Sequence, residues 1–182
     1  MNVDLSVERI HHVAYRCHDA KETVEWYVKN LNMDFQLAIA ENQVPSTKEP
    51  APYMHVFLDA GNGNVLAFFE LPTKPTMGRD LNTPEWVQHI AFKVKDMKTL
   101  LAYKSHLEQN GVEVLGVTDH SVFHSIYFFD PNGHRLELAA PDNQEQDKLR
   151  RLDEVKWAML EEWSQTKRAP RHADWMHKSE LD

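Results

Sequence analysis

Apolar and polar residues alternate along Ile10–Arg16, with Val13 and Tyr15 on one face and His12, Ala14 and Arg16 on the other. That is the period of a half-buried strand. Asp19 then stands at the N-cap position of a helix whose apolar positions are Val24, Tyr27, Val28 and Leu31, with Asn30 or Asn32 as its stop. Strands are predicted at Phe35–Ala40, Tyr53–Leu58 and Val65–Leu71. The last two are joined by Gly61-Asn62-Gly63-Asn64, a hairpin turn. Pro45, Pro50 and Pro52 make Glu41–Pro52 a loop.

The same order then repeats. Pro72–Pro84 reads as a linker, and strand Val87–Val94 leads to Asp96 as the cap of a helix through Leu100, Leu101, Tyr103 and Leu107. Asn110-Gly111 ends that helix, as a glycine just past a C-terminus should. Val112–Val117, Ser125–Phe129 and His134–Ala139 are the next strands, the last two joined by Asp130-Pro131-Asn132-Gly133. Residues 8–71 and 85–141 are therefore two modules of strand, helix and three strands. In residues 143–168, Leu149, Leu152, Val155, Met159 and Trp163 recur at steps of three and four, one apolar helix face. Capping the core is the simplest role for this helix; it also offers a dimer surface. The tail 169–182 sets Pro170, Trp175 and Met176 among polar residues and is either loose or folded over something.

Composition narrows the class of protein. At 182 residues the chain can bury one core, or two small modules sharing one. Its formal net charge of −8 argues against a nucleic-acid surface and against a polybasic membrane anchor. No apolar run is long enough to span a bilayer, and MNVDLSVERI lacks the basic and apolar regions of a secretory signal. Cys17 is alone, which suits a reducing cytoplasm. A small-molecule substrate and a homodimer are expected.

The candidate chemistry is duplicated with the modules. His11-His12-Val13-Ala14-Tyr15-Arg16 matches Gln88-His89-Ile90-Ala91-Phe92-Lys93, and Phe68-Phe69-Glu70-Leu71 matches Arg135-Leu136-Glu137-Leu138. Two imidazoles and two carboxylates, all ligands of divalent metals, thus recur at matching places. By alternation His12 and His89 lie opposite the helix-covered face. Glu137 separates from Leu136 and Leu138, and Glu70 from Phe69 and Leu71. All four are expected on the side away from the helices.

With these residues in hand, the chain resembles the vicinal oxygen chelate superfamily, which includes glyoxalase I, methylmalonyl-CoA epimerase, bleomycin- and fosfomycin-resistance proteins and extradiol dioxygenases. The resemblance covers residues 8–141. It implies an α+β fold in which two βαβββ modules form a cupped, half-open mixed-sheet barrel, here with a C-terminal helix added. It implies His12, His89 and Glu137 as metal ligands, with Glu70 in the place of a fourth ligand used by the glyoxalase and epimerase branches. Thr118-Asp119-His120, then Ile126-Tyr127, then Asp130-Pro131-Asn132-Gly133 and Glu137 resemble the extradiol dioxygenase motif. That branch has a further catalytic histidine on the turn of the preceding hairpin, where this chain has Gly61-Asn62-Gly63-Asn64. His55 lies nearby, out of register.

Three functions follow as expectations. The first is an Fe(II) extradiol dioxygenase acting on a catechol-like aromatic, with His120 moving a proton and Tyr127 bonding a substrate hydroxyl. The second is a glyoxalase- or epimerase-type enzyme using Zn, Ni, Co or Mn as a Lewis acid, or its thiol-transfer resistance variant. The third is a drug-binding resistance protein without catalysis.

Overall fold

The computed structural model describes residues 6–169, Arg171 and Trp175. Its element order is β1 (Val13–Cys17), α1 (Ala20–Leu31), β2 (Asp34–Glu41), β3 (Tyr53–Asp59), β4 (Val65–Glu70), β5 (His89–Lys93), α2 (Met97–Gln109), β6 (Leu115–Asp119), β7 (Phe123–Phe129), β8 (Arg135–Pro141) and α3 (Glu145–Thr166). Two four-stranded sheets result, in the orders β1-β4-β3-β2 and β5-β8-β7-β6. The expected pair of βαβββ modules and the C-terminal helix are therefore present. The chain divides into two compact units. One holds the residues up to His89 together with Phe129–Leu136; the other holds Ile90–Phe128 and the residues from Glu137 onward.

The helices begin where the sequence places their caps. Asp19 accepts from the Glu22 amide and Asp96 from the Thr99 amide, both at 2.8 Å. Asn32, in the left-handed conformation at φ 53°, ends α1. One strand edge and one ladder register have local causes. The strand expected from Val112 begins at Leu115, because the Val112 amide donates to Leu107 O at the end of α2. Along β6 the ladder shifts between Gly116 and Thr118. Gly116 has φ +101°, and a Cβ there would meet Ser125 O at 2.7 Å. Only glycine lets β6 pass this close to β7.

In the first unit β1 runs parallel to β4, and β3 is antiparallel to β4 and β2. Val56, Leu58, Leu66 and Phe68 are buried on one sheet face, and α1 covers it through Tyr27, whose ring lies 5.1 Å from Phe68. The Asp130-Pro131-Asn132-Gly133 turn belongs to this unit. Asp130 accepts from the Tyr27 hydroxyl (3.1 Å), from the Asn132 amide (2.9 Å) and from the His134 amide (2.8 Å). Asn132 Oδ1 accepts from the His18 amide at 2.8 Å. The motif is thus an anchor between turn and helix. Burial and the neighbouring Asp130 push the Tyr27 hydroxyl well above the usual tyrosine range.

The second sheet buries Ile126, Phe128, Leu136, Leu138 and Ala140, and Leu100 and Leu107 are the buried positions of α2. The expectation that α3 caps the core fails: none of its residues is buried, and Leu149, Leu160 and Trp163 are 48%, 57% and 46% exposed. Its start is tied down by Lys148, which donates to Asp142 at 2.7 Å. Of the tail, Pro170 and Met176 lie outside the described residues, and Trp175 lies under the Arg151 guanidinium at 3.8 Å.

Candidate functional site

In each sheet the face away from the helix carries polar candidates, with Glu70 the exception. On the first sheet, direct pairing places Ala14 beside Ala67 and Phe57, and Arg16 beside Phe69 and His55. Paired residues share a face, so this face is opposite Phe68 and Val56. His12, one residue before β1, joins it. Its ring is 5.6 Å from Phe57 and 6.1 Å from His55. His55 is only 8% exposed, stacked 3.5 Å from Phe69, and its Nε2 is buried without a hydrogen-bond partner. Burial, with the nearby His12, lowers the His55 pKa and keeps the ring neutral.

Glu70 is where the structure corrects the sequence reading. It pairs with Met54 and Cys17, on the helix-covered face, not the open one. Its Oε2 accepts from the Ala20 amide at 2.8 Å, the first N–H of α1. A carboxylate there satisfies an orphan donor and complements the helix dipole. The reason is register. The Ala60 amide donates to Asn64 O, and the Asp130 amide to His134 O. Counting outward from these equivalent turns, Ala67 is the counterpart of Glu137, and Glu70 is the counterpart of Ala140. The likeness of Phe-Phe-Glu-Leu to Arg-Leu-Glu-Leu is three residues out of structural step. Glu70→Gln should therefore cost about 0.5–1 kcal/mol in urea unfolding and leave metal affinity unchanged by titration.

Cys17 sits on the same helix-side face, 2% exposed. Burial, with the charges of Glu70, Asp19 and Asp130, raises its pKa to about 11 against a partly opposing bond with Thr23. Such a thiol is a poor nucleophile. A pKa raised by folding favours the native state below the unfolded value near 9 and loses that contribution as pH rises to about 11. Thiol reagent at pH 8 should label Cys17 only on unfolding, read by mass spectrometry; rapid labelling of the native protein would contradict its burial.

In the second unit, Ser125 and Tyr127 alternate with the buried Ile126 and Phe128, so they share the opposite face. Glu137, 3% exposed, reaches this face and accepts from the Ser125 hydroxyl. His120 precedes β7, and its Nε2 lies 2.6 Å from the Tyr127 hydroxyl. The two residues expected to carry proton chemistry are thus directly bonded. His89 opens β5, exposed, with Nδ1 3.0 Å from Val87 O. A carbonyl partner makes Nδ1 the protonated nitrogen and Nε2 the one with the lone pair, the tautomer suited to a metal. His12 Nδ1 lies 2.8 Å from His11 Nδ1, and which of the two donates depends on their tautomers. Among the described residues no group of three or more His, Cys, Asp or Glu is gathered to hold an ion. His12, His89 and Glu137 are metal-ligand candidates by donor type alone, two imidazoles and a carboxylate.

Sequence reasoning took Tyr27 only as an apolar helix position and set His55 aside as out of register. His55 packs against Phe57, two residues on along β3, and against Phe69 across the ladder. No helix among the described residues is long and apolar enough to cross a membrane.

Comparison with known proteins agrees with this architecture. The profile of the Glyoxalase/Bleomycin resistance protein/Dioxygenase superfamily matches residues 9–138. A Bacillus subtilis protein named "Putative ring-cleaving dioxygenase MhqA" is 27% identical over 84 residues, 46% of this chain and 27% of its own length. The chain thus spans about a quarter of that relative. Among solved structures, a glyoxalase family protein from Enterococcus faecalis is similar at a TM-score of 0.53 and 26% identity, over 72% of this chain and 97% of that one. The fosfomycin resistance protein FosX from Listeria monocytogenes, in a variant bound to Mn(II) and dihydroxypropylphosphonic acid, has the same fold at a TM-score of 0.56 and 19% identity, over 80% of this chain and 99% of that one.

Proposed function

We propose, from the premise that the chain belongs to the Glyoxalase/Bleomycin resistance protein/Dioxygenase superfamily, that it is an Fe(II) extradiol dioxygenase of a catechol-like aromatic, working in the cytoplasm as a homodimer. The observation that carries this reading is Ala67 at the place equivalent to Glu137, with Glu70 spent on the α1 N-terminus. The duplicated set then reduces to His12, His89 and Glu137. Two imidazoles and one carboxylate leave three positions on an iron, enough for two substrate oxygens and dioxygen; a four-ligand Lewis-acid site would need a second acid. The Bacillus relative's name points the same way.

In this reading His12, His89 and Glu137 would hold the iron, which when bound supplies the electron transfer between aromatic ring and O₂ that no side chain can perform. The protein's own part is protonic and positional. The His120–Tyr127 pair holds a proton between Nε2 and a phenolic oxygen at 2.6 Å. A partly buried pair of this kind can accept a proton from a substrate hydroxyl and return it to product. Ser125 fixes Glu137 by bonding one of its oxygens, which orients the other.

The test is reconstitution with Fe(II) under nitrogen, followed by air and a panel of catechols. Oxygen uptake with a coloured ring-fission product is expected. Turnover of the methylglyoxal–glutathione adduct or an acyl-CoA, without oxygen uptake, would assign the chain to the Lewis-acid branch instead.

A further inference from the structure

On the open face of the first sheet, one lateral row crosses three strands: Arg16 on β1 pairs with Phe69 on β4, which pairs with His55 on β3. Each neighbour is about 4.8 Å from the next strand, so the two ends of the row stand about 10 Å apart at the backbone. Each end holds one buried ring or guanidinium nitrogen with no hydrogen-bond partner. Arg16 donates through Nη2 to Pro75 O at 2.5 Å, but its Nε is buried and unpartnered. His55 is more than nine-tenths buried, and its Nε2 is equally unpartnered. Leaving one such group unsatisfied costs about 1–3 kcal/mol, so two in one row, on the face that also carries His12, call for a ligand.

The surroundings specify its chemistry. His55 is held between Phe69 at 3.5 Å and Phe57 at 4.1 Å, with ring planes 17° and 45° from its own. Stacking on Phe69 and the tilted contact with Phe57 hold the imidazole and leave its in-plane nitrogen as its recognition element. The row therefore offers an aromatic floor, a ring nitrogen for hydrogen bonding at one end and a guanidinium at the other. A planar aromatic molecule with an oxygen substituent near one end and an anionic group near the other matches this order.

We propose that this face is the substrate platform, with His55 Nε2 bonding a ring hydroxyl and the Arg16 guanidinium binding the carboxylate of an aromatic acid. The inference rests on the dioxygenase reading and narrows it: the substrate is a carboxylated catechol, not a neutral one. Arginine suits a carboxylate because its bonds to one are charge-assisted.

The test is anaerobic calorimetry of the iron-loaded full chain with catechol and with 3,4-dihydroxybenzoate. The wild type should bind the acid at least tenfold more tightly. Arg16→Gln should abolish that preference. His55→Phe, which keeps the aromatic stack, should weaken binding of the acid about tenfold or more while metal content stays the same. Should either variant fail to fold, the wild-type His55 ring ¹⁵N shifts decide: movement on adding the acid supports the assignment, and unmoved shifts overturn it. Equal wild-type affinity for the two probes, or an unaltered preference in Arg16→Gln, also overturns it. Catechol ring fission by a protein with no such preference would leave the dioxygenase reading standing and remove this one alone; binding of neither probe would remove both.

Discussion

Glu137→Ala should release iron: affinity falls at least about 100-fold, since even partners one bond removed from a metal are worth 10–100-fold, and ring-fission turnover falls in step. Glu137 is 3% exposed and bonded to Ser125. Ser125 holds one carboxylate oxygen, and the role proposed for Glu137 is to ligate the divalent cation. Metal content by elemental analysis after gel filtration, beside a melting curve, checks the claim. Full iron content in a folded Glu137→Ala protein would remove Glu137 from the ligand set. The outcome also separates Glu137 from Glu70, whose neutralisation touches only the start of α1.

His120→Ala should do the reverse: iron stays and turnover falls by about 10²–10⁴, the range lost when a positioned proton carrier is removed. His120 bonds Tyr127 through Nε2 at 2.6 Å, so the hydroxyl loses its proton partner but keeps its place on β7. Tyr127→Phe should be milder, because His120 remains to exchange protons. Steady-state oxygen uptake together with iron content measures both. Unchanged turnover in His120→Ala would leave the pair as packing at the β6–β7 connection.

Much of the scaffold was legible because its signals are local. Asp19 and Asp96 cap the helices that the apolar spacing demanded, and the Gly61–Asn64 and Asp130–Gly133 turns join the strands on either side. The face of Glu137 was legible as well, since Leu136 and Leu138 flank it on the core side. Glu70 was misplaced because four similar residues suggested one register while the hairpin hydrogen bonds enforce another. Its true partner, the Ala20 amide, is 50 positions away along the chain. Tyr27 and Asp130 meet across 103 positions, and His55 stacks on Phe69 of the neighbouring strand. No window of sequence contains such contacts. The apolar stripe of α3 was read correctly as a stripe, but a stripe does not say what covers it.

The most direct measurement is isotopic. Iron-loaded protein given a dihydroxylated aromatic acid under ¹⁸O₂ should yield a ring-opened product carrying both labelled atoms, with one O₂ consumed per substrate. A product with no label, or substrate that binds and is returned intact under oxygen, would contradict the assignment of this chain to ring cleavage.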